Sequence, residues 1–126
     1  EVWQANAAGR YAHPDDTNPA PLDPNFLGYT VLMSGADGSY RFQTIKPGAY
    51  PAGPNTIRPA HIHFELSGTH GRLVTQMYFA GDPYNEKDRF LQSVLRPEAL
   101  IVKLQPVTGA SEADSVSAVF DIVLHG

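Results

Sequence analysis

The chain has 126 residues, of which 42% are hydrophobic and 17% are charged, a composition that suits one globular domain with an apolar core. Its formal net charge of −4 argues against nucleic acid or an anionic membrane as a partner, and no apolar run is long enough to span a bilayer. Because the chain has no cysteine, disulfides, thiolate metal sites and cysteine nucleophiles are excluded, so any metal must be held by nitrogen and oxygen.

The first part of the chain predicts short strands joined by long loops. Glu1 to Ala5 alternates and carries Val and Trp, which favours a strand, and the missing initiator methionine suggests a fragment or a processed piece. Residues 12–26 are rich in Pro, Asp and Asn, which predicts an irregular loop, and ordered loops of this length are often functional. Tyr29 to Met33 and Ser39 to Ile45 are predicted strands, joined by a hairpin-type turn at 36–38.

The second part of the chain continues this pattern. A strand is predicted from Ala60 to Leu66, and after a turn the segment Arg72 to Phe79 pairs back with it. A polar connection follows over residues 81–96. Pro97 to Leu104 fits a short helix or another strand equally well, and Ser117 to His125 predicts a closing apolar strand.

Short strands separated by Gly and Pro turns, with hardly any helical periodicity, predict an all-β fold. We expect an antiparallel β-sandwich with long functional loops and little helix. Residues 1–126 are expected to form this one domain, and no internal repeat or low-complexity segment is visible in them.

The stretch Arg-Pro-Ala-His-Ile-His-Phe, which starts at Arg58, carries the strongest chemical signal. Side chains alternate along a strand, so His61 and His63 lie on one face, a spacing common in metal sites. A single buried histidine is more often a hydrogen-bonded core residue than a ligand. Alternation places Glu65 on the same face as the two histidines, so a role for Glu65 as third ligand is an open alternative. Solvated positions are expected for the other three histidines, His13, His70 and His125.

Two tyrosines end predicted strands and could project over one end of the sandwich. Tyr11 follows the turn Asn6 to Gly9, and Tyr50 lies between Gly48 and Pro51 on a rigid turn. A phenolate is a hard, strongly donating ligand that suits a ferric ion, and a trivalent cation would favour the phenolate over the phenol.

The chain resembles the intradiol ring-cleavage dioxygenases over nearly its whole length. The resemblance rests on six segments in order: EVWQANAAGRY, PLDPNF, IKPGAYP, RPAHIHF, TQMYFAGD and FDIVLHG. The combination of Gly-Arg-Tyr, Pro-Gly-X-Tyr-Pro and Arg-Pro-Ala-His-Ile-His-Phe is highly specific, although each piece alone is not. Within the family, the branch that acts on protocatechuate is the most similar.

The resemblance implies a single non-haem Fe(III) cofactor. Its ligands, carried over position by position, are Tyr11, Tyr50, His61 and His63. Tyr50 corresponds to the axial ligand that leaves the metal when substrate binds, so it also has a catalytic role. Arg58 corresponds to the active-site arginine and Gln76 to a glutamine that lines the same pocket, and an ion pair at the strand end is the alternative for Arg58.

The implied reaction is O₂-dependent cleavage of a catechol-type ring between its two hydroxylated carbons, which gives a muconate-type dicarboxylate. Protocatechuate and its product 3-carboxy-cis,cis-muconate fit the branch best. Two departures bear on the substrate: Ala52 stands where that branch has a tryptophan, and the loop at 53–57 is short. The alternatives are a non-catalytic β-sandwich subunit or binding module, and a zinc hydrolase that uses His61, His63 and a carboxylate.

The resemblance also implies partners beyond the catechol and O₂. We expect an oligomer, completed by an iron-free homologous subunit or by an N-terminal segment missing from this chain. A cytoplasmic location is expected, with neither nucleic acid nor a membrane as partner.

Overall fold

The computed structural model describes residues 1–69, 71–107, 109 and 115–124. Within these ranges the chain forms short strands, one short α-helix and two 3₁₀ turns, at Asn85–Lys87 and Pro97–Leu100. The elements are β1 (Val2–Gln4), β2 (Tyr29–Thr30), β3 (Tyr50–Pro51), β4 (Ile57–Arg58), β5 (His61–Ser67), β6 (Arg72–Phe79), α1 (Arg89–Ser93), β7 (Ile101–Val102), β8 (Gln105–Pro106) and β9 (Val116–Ser117). The all-β class expected from the sequence is confirmed.

The main sheet has five strands in the order β2-β1-β5-β6-β7. Its centre is the β5–β6 hairpin, which is paired from His61 opposite Tyr78 to Ser67 opposite Arg72, as expected. Strand β1 lies antiparallel on the other side of β5 and places Trp3 opposite His63. The pairing is antiparallel except between β6 and β7, which run parallel.

The two faces of β5 have different roles. Ile62 and Phe64 point into the core, where they pack with Val2, Ala60, Met77, Phe79, Val102 and Phe120. His61 and His63 point to the opposite face, because side chains alternate along a strand. Gln76 and Tyr78 share that face, because they lie directly opposite His63 and His61 on β6.

The core face is covered by two segments in which the sequence predicted strands. Phe42 and Phe120 approach Phe64 with ring centroids 6.0 and 5.2 Å away, and the Tyr40 hydroxyl donates to the Phe120 carbonyl at 2.6 Å. Residues 39–45 form no strand, so that prediction was wrong, and the strand expected at 117–125 is absent over 118–124. Alternating side chains predict which face packs, but a strand also needs a neighbouring backbone for its hydrogen bonds.

The remaining segment predictions were partly correct. The strand expected at Tyr29 to Met33 is paired only at Tyr29–Thr30, and the last strand only at Val116–Ser117, with His125 outside the described residues. Residues 97–104 contain a 3₁₀ turn and then β7, so each of the two alternatives describes part of the segment. No helix in the described part of the chain is long and apolar enough to cross a membrane.

Candidate metal centre

The two tyrosine-bearing turns interlock through glycines. Gly9 has φ +84°, a conformation that L-residues rarely adopt, and a Cβ on it would collide with the Ala49 carbonyl. A Cβ on Gly48 would lie 2.5 Å from the Ala7 oxygen and 2.7 Å from the Gly9 nitrogen. The Asn6 carbonyl accepts from both glycine amides, at 3.0 Å from Gly9 and 2.9 Å from Gly48. The turns that carry Tyr11 and Tyr50 are therefore in direct backbone contact.

The loop at 12–26 folds back over the Tyr11 turn. The Arg10 guanidinium donates to the carbonyls of Asn18 at 2.6 Å and Ala20 at 3.0 Å, and the Asp16 carboxylate accepts from the Tyr11 amide at 2.8 Å. The loop without regular structure is thereby tied to the Arg10 side chain and to the Tyr11 amide.

A two-residue ladder places the second tyrosine beside the arginine. Strands β3 and β4 pair antiparallel with Tyr50 opposite Arg58. The loop that the sequence indicated at 53–57 is shorter in the structure, because the hairpin includes Ile57 in this ladder. Pro59 then follows, and β5 begins at His61.

Four side-chain atoms converge on the site face of the sheet. The Tyr11 hydroxyl lies 3.3 Å from the Tyr50 hydroxyl, 3.3 Å from His61 Nε2 and 2.9 Å from His63 Nε2. His61 Nε2 lies 3.4 Å from the Tyr50 hydroxyl and 3.2 Å from His63 Nε2. The structure thus brings together all four residues that the resemblance proposes as ligands.

Both imidazoles are held in the neutral form that metal ligands require. Burial lowers the pKa of His61 to about 4, and burial followed by repulsion from His61 and Arg58 lowers the pKa of His63 to about 3. His61 Nδ1 lies 2.7 Å from the Pro59 carbonyl, which can only accept, so Nδ1 carries the proton and Nε2 presents a lone pair to the cluster.

The phenol of Tyr11 is costly to ionise without a cation. Burial, and then the hydrogen bond and charge of Tyr50, raise the pKa of Tyr11 well above its ordinary value. The same desolvation strengthens any attraction to a positive ion placed among these atoms.

The donor set fits a metal ion. Adjacent nitrogen and oxygen ligands of an ion with bonds of about 2.0–2.2 Å lie roughly 2.8–3.6 Å apart, and the five separations above run from 2.9 to 3.4 Å. In the described ranges, no group of three or more His, Cys, Asp or Glu residues is placed so that it could hold a metal ion, and the tyrosines are therefore needed to complete a site. Two phenol oxygens and two imidazoles favour a hard ion such as Fe(III).

Glu65 and His13 have partners outside this cluster. The Glu65 carboxylate is bound to Arg72 Nε at 2.5 Å. His13 is solvent-exposed and accepts from the Asp15 amide, as expected of a solvated histidine. His70 and His125 lie outside the described residues.

Arg58 and Gln76 meet at the edge of the cluster. Arg58 Nη1 lies 3.2 Å from His61 Nε2, and Nη2 donates to Gln76 Oε1 at 2.7 Å. The arginine is therefore directed at the proposed ligands, whereas the glutamine contacts the arginine.

Three further residues at this site were not predicted from the sequence. The Trp3 indole stacks on the His63 ring at 4.9 Å with an angle of 2° between the planes, and Tyr78 and Asp88 surround the Arg58 guanidinium. Period-two patterns place a residue on a face, but only the strand register puts Trp3 opposite His63. Asp88 lies in a polar connecting segment without periodicity, so no local sequence pattern identifies it as a residue of the site.

The fold and the site agree with a match to a known family. Residues 1–126 match the family described as Dioxygenase, and the chain belongs to that family. This confirms the resemblance to intradiol ring-cleavage dioxygenases.

Among individual proteins, the chain is 53% identical over 133 residues to the protocatechuate 3,4-dioxygenase beta chain of Burkholderia cepacia, a match that covers 100% of this chain and 56% of that protein. It is 39% identical over 97 residues to catechol 1,2-dioxygenase 1 of Acinetobacter lwoffii, with 66% of this chain and 30% of that protein covered. The crystal structure of 3-chlorocatechol 1,2-dioxygenase from Rhodococcus opacus 1CP superposes with a TM-score of 0.68 and 25% identity over 88% of this chain and 46% of that chain. The chain therefore spans about half or less of the length of these relatives.

Proposed function

We propose that this chain is the catalytic core of a non-haem Fe(III) dioxygenase that cleaves a catechol-type ring between its two hydroxylated carbons with O₂. The observation that carries the proposal is the convergence of two tyrosine hydroxyls and two imidazole nitrogens at separations of 2.9–3.4 Å. Family membership supports the reaction class, and the donor set supports the metal.

Tyr11, Tyr50, His61 and His63 would hold the iron. When bound, the ferric ion would supply a chelation point for the catecholate and make the ring reactive toward O₂. The protein contributes neutral imidazoles, because burial keeps the pKa of both histidines well below neutral pH.

Tyr50 is proposed as the ligand that gives way to the substrate. Its phenolate oxygen would then accept one of the two acidic catechol protons, and the second would pass to solvent, so substrate binding would be coupled to deprotonation. The short β3–β4 hairpin that carries Tyr50 supports this role, because its backbone is paired over two residues only, against seven pairs in the β5–β6 hairpin that carries the histidines.

Arg58 is proposed to stabilise negative charge that develops on the substrate. Its guanidinium stays charged because Asp88 raises its pKa despite burial, and Nη1 is directed at the cluster. Gln76 is proposed to act at the same pocket through its contact with Arg58 Nη2.

Protocatechuate is the proposed substrate and 3-carboxy-cis,cis-muconate the product. The support is the 53% identity to a protein named protocatechuate 3,4-dioxygenase beta chain. The words "beta chain" in that name also support assembly with a second kind of chain, which we propose to be a homologous iron-free subunit. A cytoplasmic location belongs to the same proposal.

The test is to purify the chain and measure its iron content, its visible absorption and O₂ uptake with protocatechuate, catechol and hydroxyquinol. Tyrosinate bound to Fe(III) absorbs visible light by charge transfer, so we expect a red protein with stoichiometric iron that turns over protocatechuate fastest. A colourless protein with stoichiometric zinc would refute the proposal. A metal-free protein without O₂ uptake would instead identify a non-catalytic subunit of the same fold.

A further inference from the structure

The Asp88 carboxylate binds the Arg58 guanidinium through two of its nitrogens. Arg58 Nε donates to Asp88 Oδ1 at 2.9 Å, and Nη2 lies 3.1 Å from Oδ2. The Asp88 side chain is only 3% exposed, against 19% for Arg58. A buried carboxylate that binds two nitrogens of a guanidinium determines the plane of the guanidinium as well as its position.

Tyr78 and Gln76 make further contacts with the Arg58 guanidinium, and one guanidinium nitrogen takes no part in these contacts. The Tyr78 hydroxyl donates to Asp88 Oδ2 at 2.6 Å and accepts from Arg58 Nη2 at 2.9 Å. Nη2 also donates to Gln76 Oε1 at 2.7 Å. Nη1 is the guanidinium nitrogen outside this network, and it is the one that lies 3.2 Å from His61 Nε2.

The carboxylate is itself fixed by the backbone. Asp88 is the N-cap of α1 and accepts from the Leu91 amide at 3.0 Å. Leu91 is fully buried, so the first turn of α1 is anchored in the protein. Cap geometry and helix anchoring therefore set where the carboxylate points.

We propose that Asp88 is a positioning residue for the reaction: by binding Nε and Nη2 of Arg58, it keeps Nη1 directed at the metal cluster. This inference rests on the function proposed above. Without the carboxylate charge, the guanidinium loses its ionic partner and can rotate about its side-chain bonds. Nη1, the donor that faces the reacting atoms, would then still be present but would point away from them.

A purely structural role for Asp88, as helix cap and ion pair, can be separated from this one. Asparagine caps helices about as well as aspartate, so Asp88→Asn keeps the cap and removes the charge. A variant that still folds and binds iron then isolates the effect on Arg58.

The experiment is a double-mutant cycle with Asp88→Asn, Arg58→Leu and the double variant. We expect Asp88→Asn to lower kcat by about 10- to 100-fold, the usual cost of losing an outer partner, with iron content and resting visible absorption unchanged. In the Arg58→Leu background the same change should alter kcat less than about twofold, because the group it positions is gone. An equal loss in both backgrounds, or no loss in either, would overturn the proposal.

Urea unfolding of the four metal-free proteins gives a second readout that does not depend on turnover. The shifts in unfolding midpoint should be non-additive if the two side chains bind each other, and additive shifts would overturn the proposal. Absence of O₂ uptake by the unmodified protein would reject the proposed function. The non-additivity of the shifts in unfolding midpoint would still test whether Asp88 binds Arg58. Glu98→Gln and Arg96→Leu form the control cycle, because this pair is exposed at 3.4 Å and should show neither coupling nor loss of kcat.

Discussion

At the scale of single residues, the site depends on which atom of each side chain is free to bind. The Pro59 carbonyl accepts a hydrogen bond from the Nδ1–H group of His61, so Nε2 is left as the proposed ligand atom. Trp3 covers the face of the His63 ring, which excludes water from that side. Neither Pro59 nor Trp3 is a proposed ligand, yet each determines how a proposed ligand is presented to the site.

Tyr50→Phe tests the ligand assignment at this scale. The change removes one phenol oxygen and leaves the ring, so the fold should persist while the visible charge-transfer absorption of the iron-loaded protein shifts. The measurement is the absorption spectrum at matched iron content. Tyr84→Phe is the control, because Tyr84 is exposed and distant in sequence from the ligands, and its spectrum should not change. An unchanged Tyr50→Phe spectrum would remove Tyr50 from the ligand set.

At the scale of elements, the centre is assembled where two turns meet the β5–β6 hairpin. The hairpin presents His61 and His63 two residues apart, and the turns deliver Tyr11 and Tyr50 because Gly9 and Gly48 allow their backbones to touch. The close approach leaves no space for a side chain at either glycine.

Gly48→Ala tests this assembly. The new methyl group would overlap the Ala7 carbonyl and the Gly9 nitrogen, so the turns must separate. We expect a loss of about 1–3 kcal/mol in the free energy of unfolding, the usual cost of overpacking, and weaker iron binding. Urea unfolding and metal titration measure the two effects.

Gly35→Ala is the matched control for that change. A Cβ on Gly35 would meet two exposed side-chain oxygens, Asp37 Oδ1 at 3.0 Å and Ser39 Oγ at 3.3 Å, and no backbone atom closer than 3.8 Å. Its unfolding free energy should change by less than about 0.5 kcal/mol, with normal iron binding. Equal effects of the two substitutions would show that the contact between the turns is unimportant.

At the scale of the whole molecule, the acidic charge is kept almost entirely at the surface. In the described part of the chain, Asp88 is the one carboxylate among the buried side chains. Burial alone would raise the pKa of Asp88, but hydrogen bonds from Arg58, Tyr78 and the Leu91 amide hold it below its ordinary value of 3.8. The folded protein therefore binds fewer protons at this group than the unfolded chain does.

This difference predicts a pH dependence of stability. A lowered pKa in the folded state means that the contribution of Asp88 is complete above the unfolded value of 3.8 and is lost as the pH falls through the folded value. The gap in unfolding free energy between the unmodified protein and Asp88→Asn should shrink below about pH 4, by at most about 1.4 kcal/mol per pH unit. Urea unfolding from pH 7 to pH 3 measures it. A gap that stays constant or widens on acidification would contradict the assignment.

Much of the fold followed from local patterns. The β5–β6 hairpin was predicted to within one residue at each end, because apolar alternation and a Gly turn mark both of its strands. The strands expected at 39–45 and 117–125 were largely wrong, because their alternation reflects packing of Phe42 and Phe120 on Phe64 without a continuous ladder. Local sequence does not reveal whether an extended segment finds a backbone partner.

By itself, the sequence determined the kinds of ligand atom available and the face on which two of them lie. The absence of cysteine left nitrogen and oxygen, and a period of two put His61 and His63 together. The family resemblance implied that Tyr11 and Tyr50 meet those histidines, and the tertiary structure brings the four together. Only the tertiary structure decided that Trp3 covers His63 and that Asp88 holds Arg58. These contacts join residues 11 to 60 positions apart in the chain. They depend on strand register, backbone contact between turns and helix capping, none of which a local period specifies.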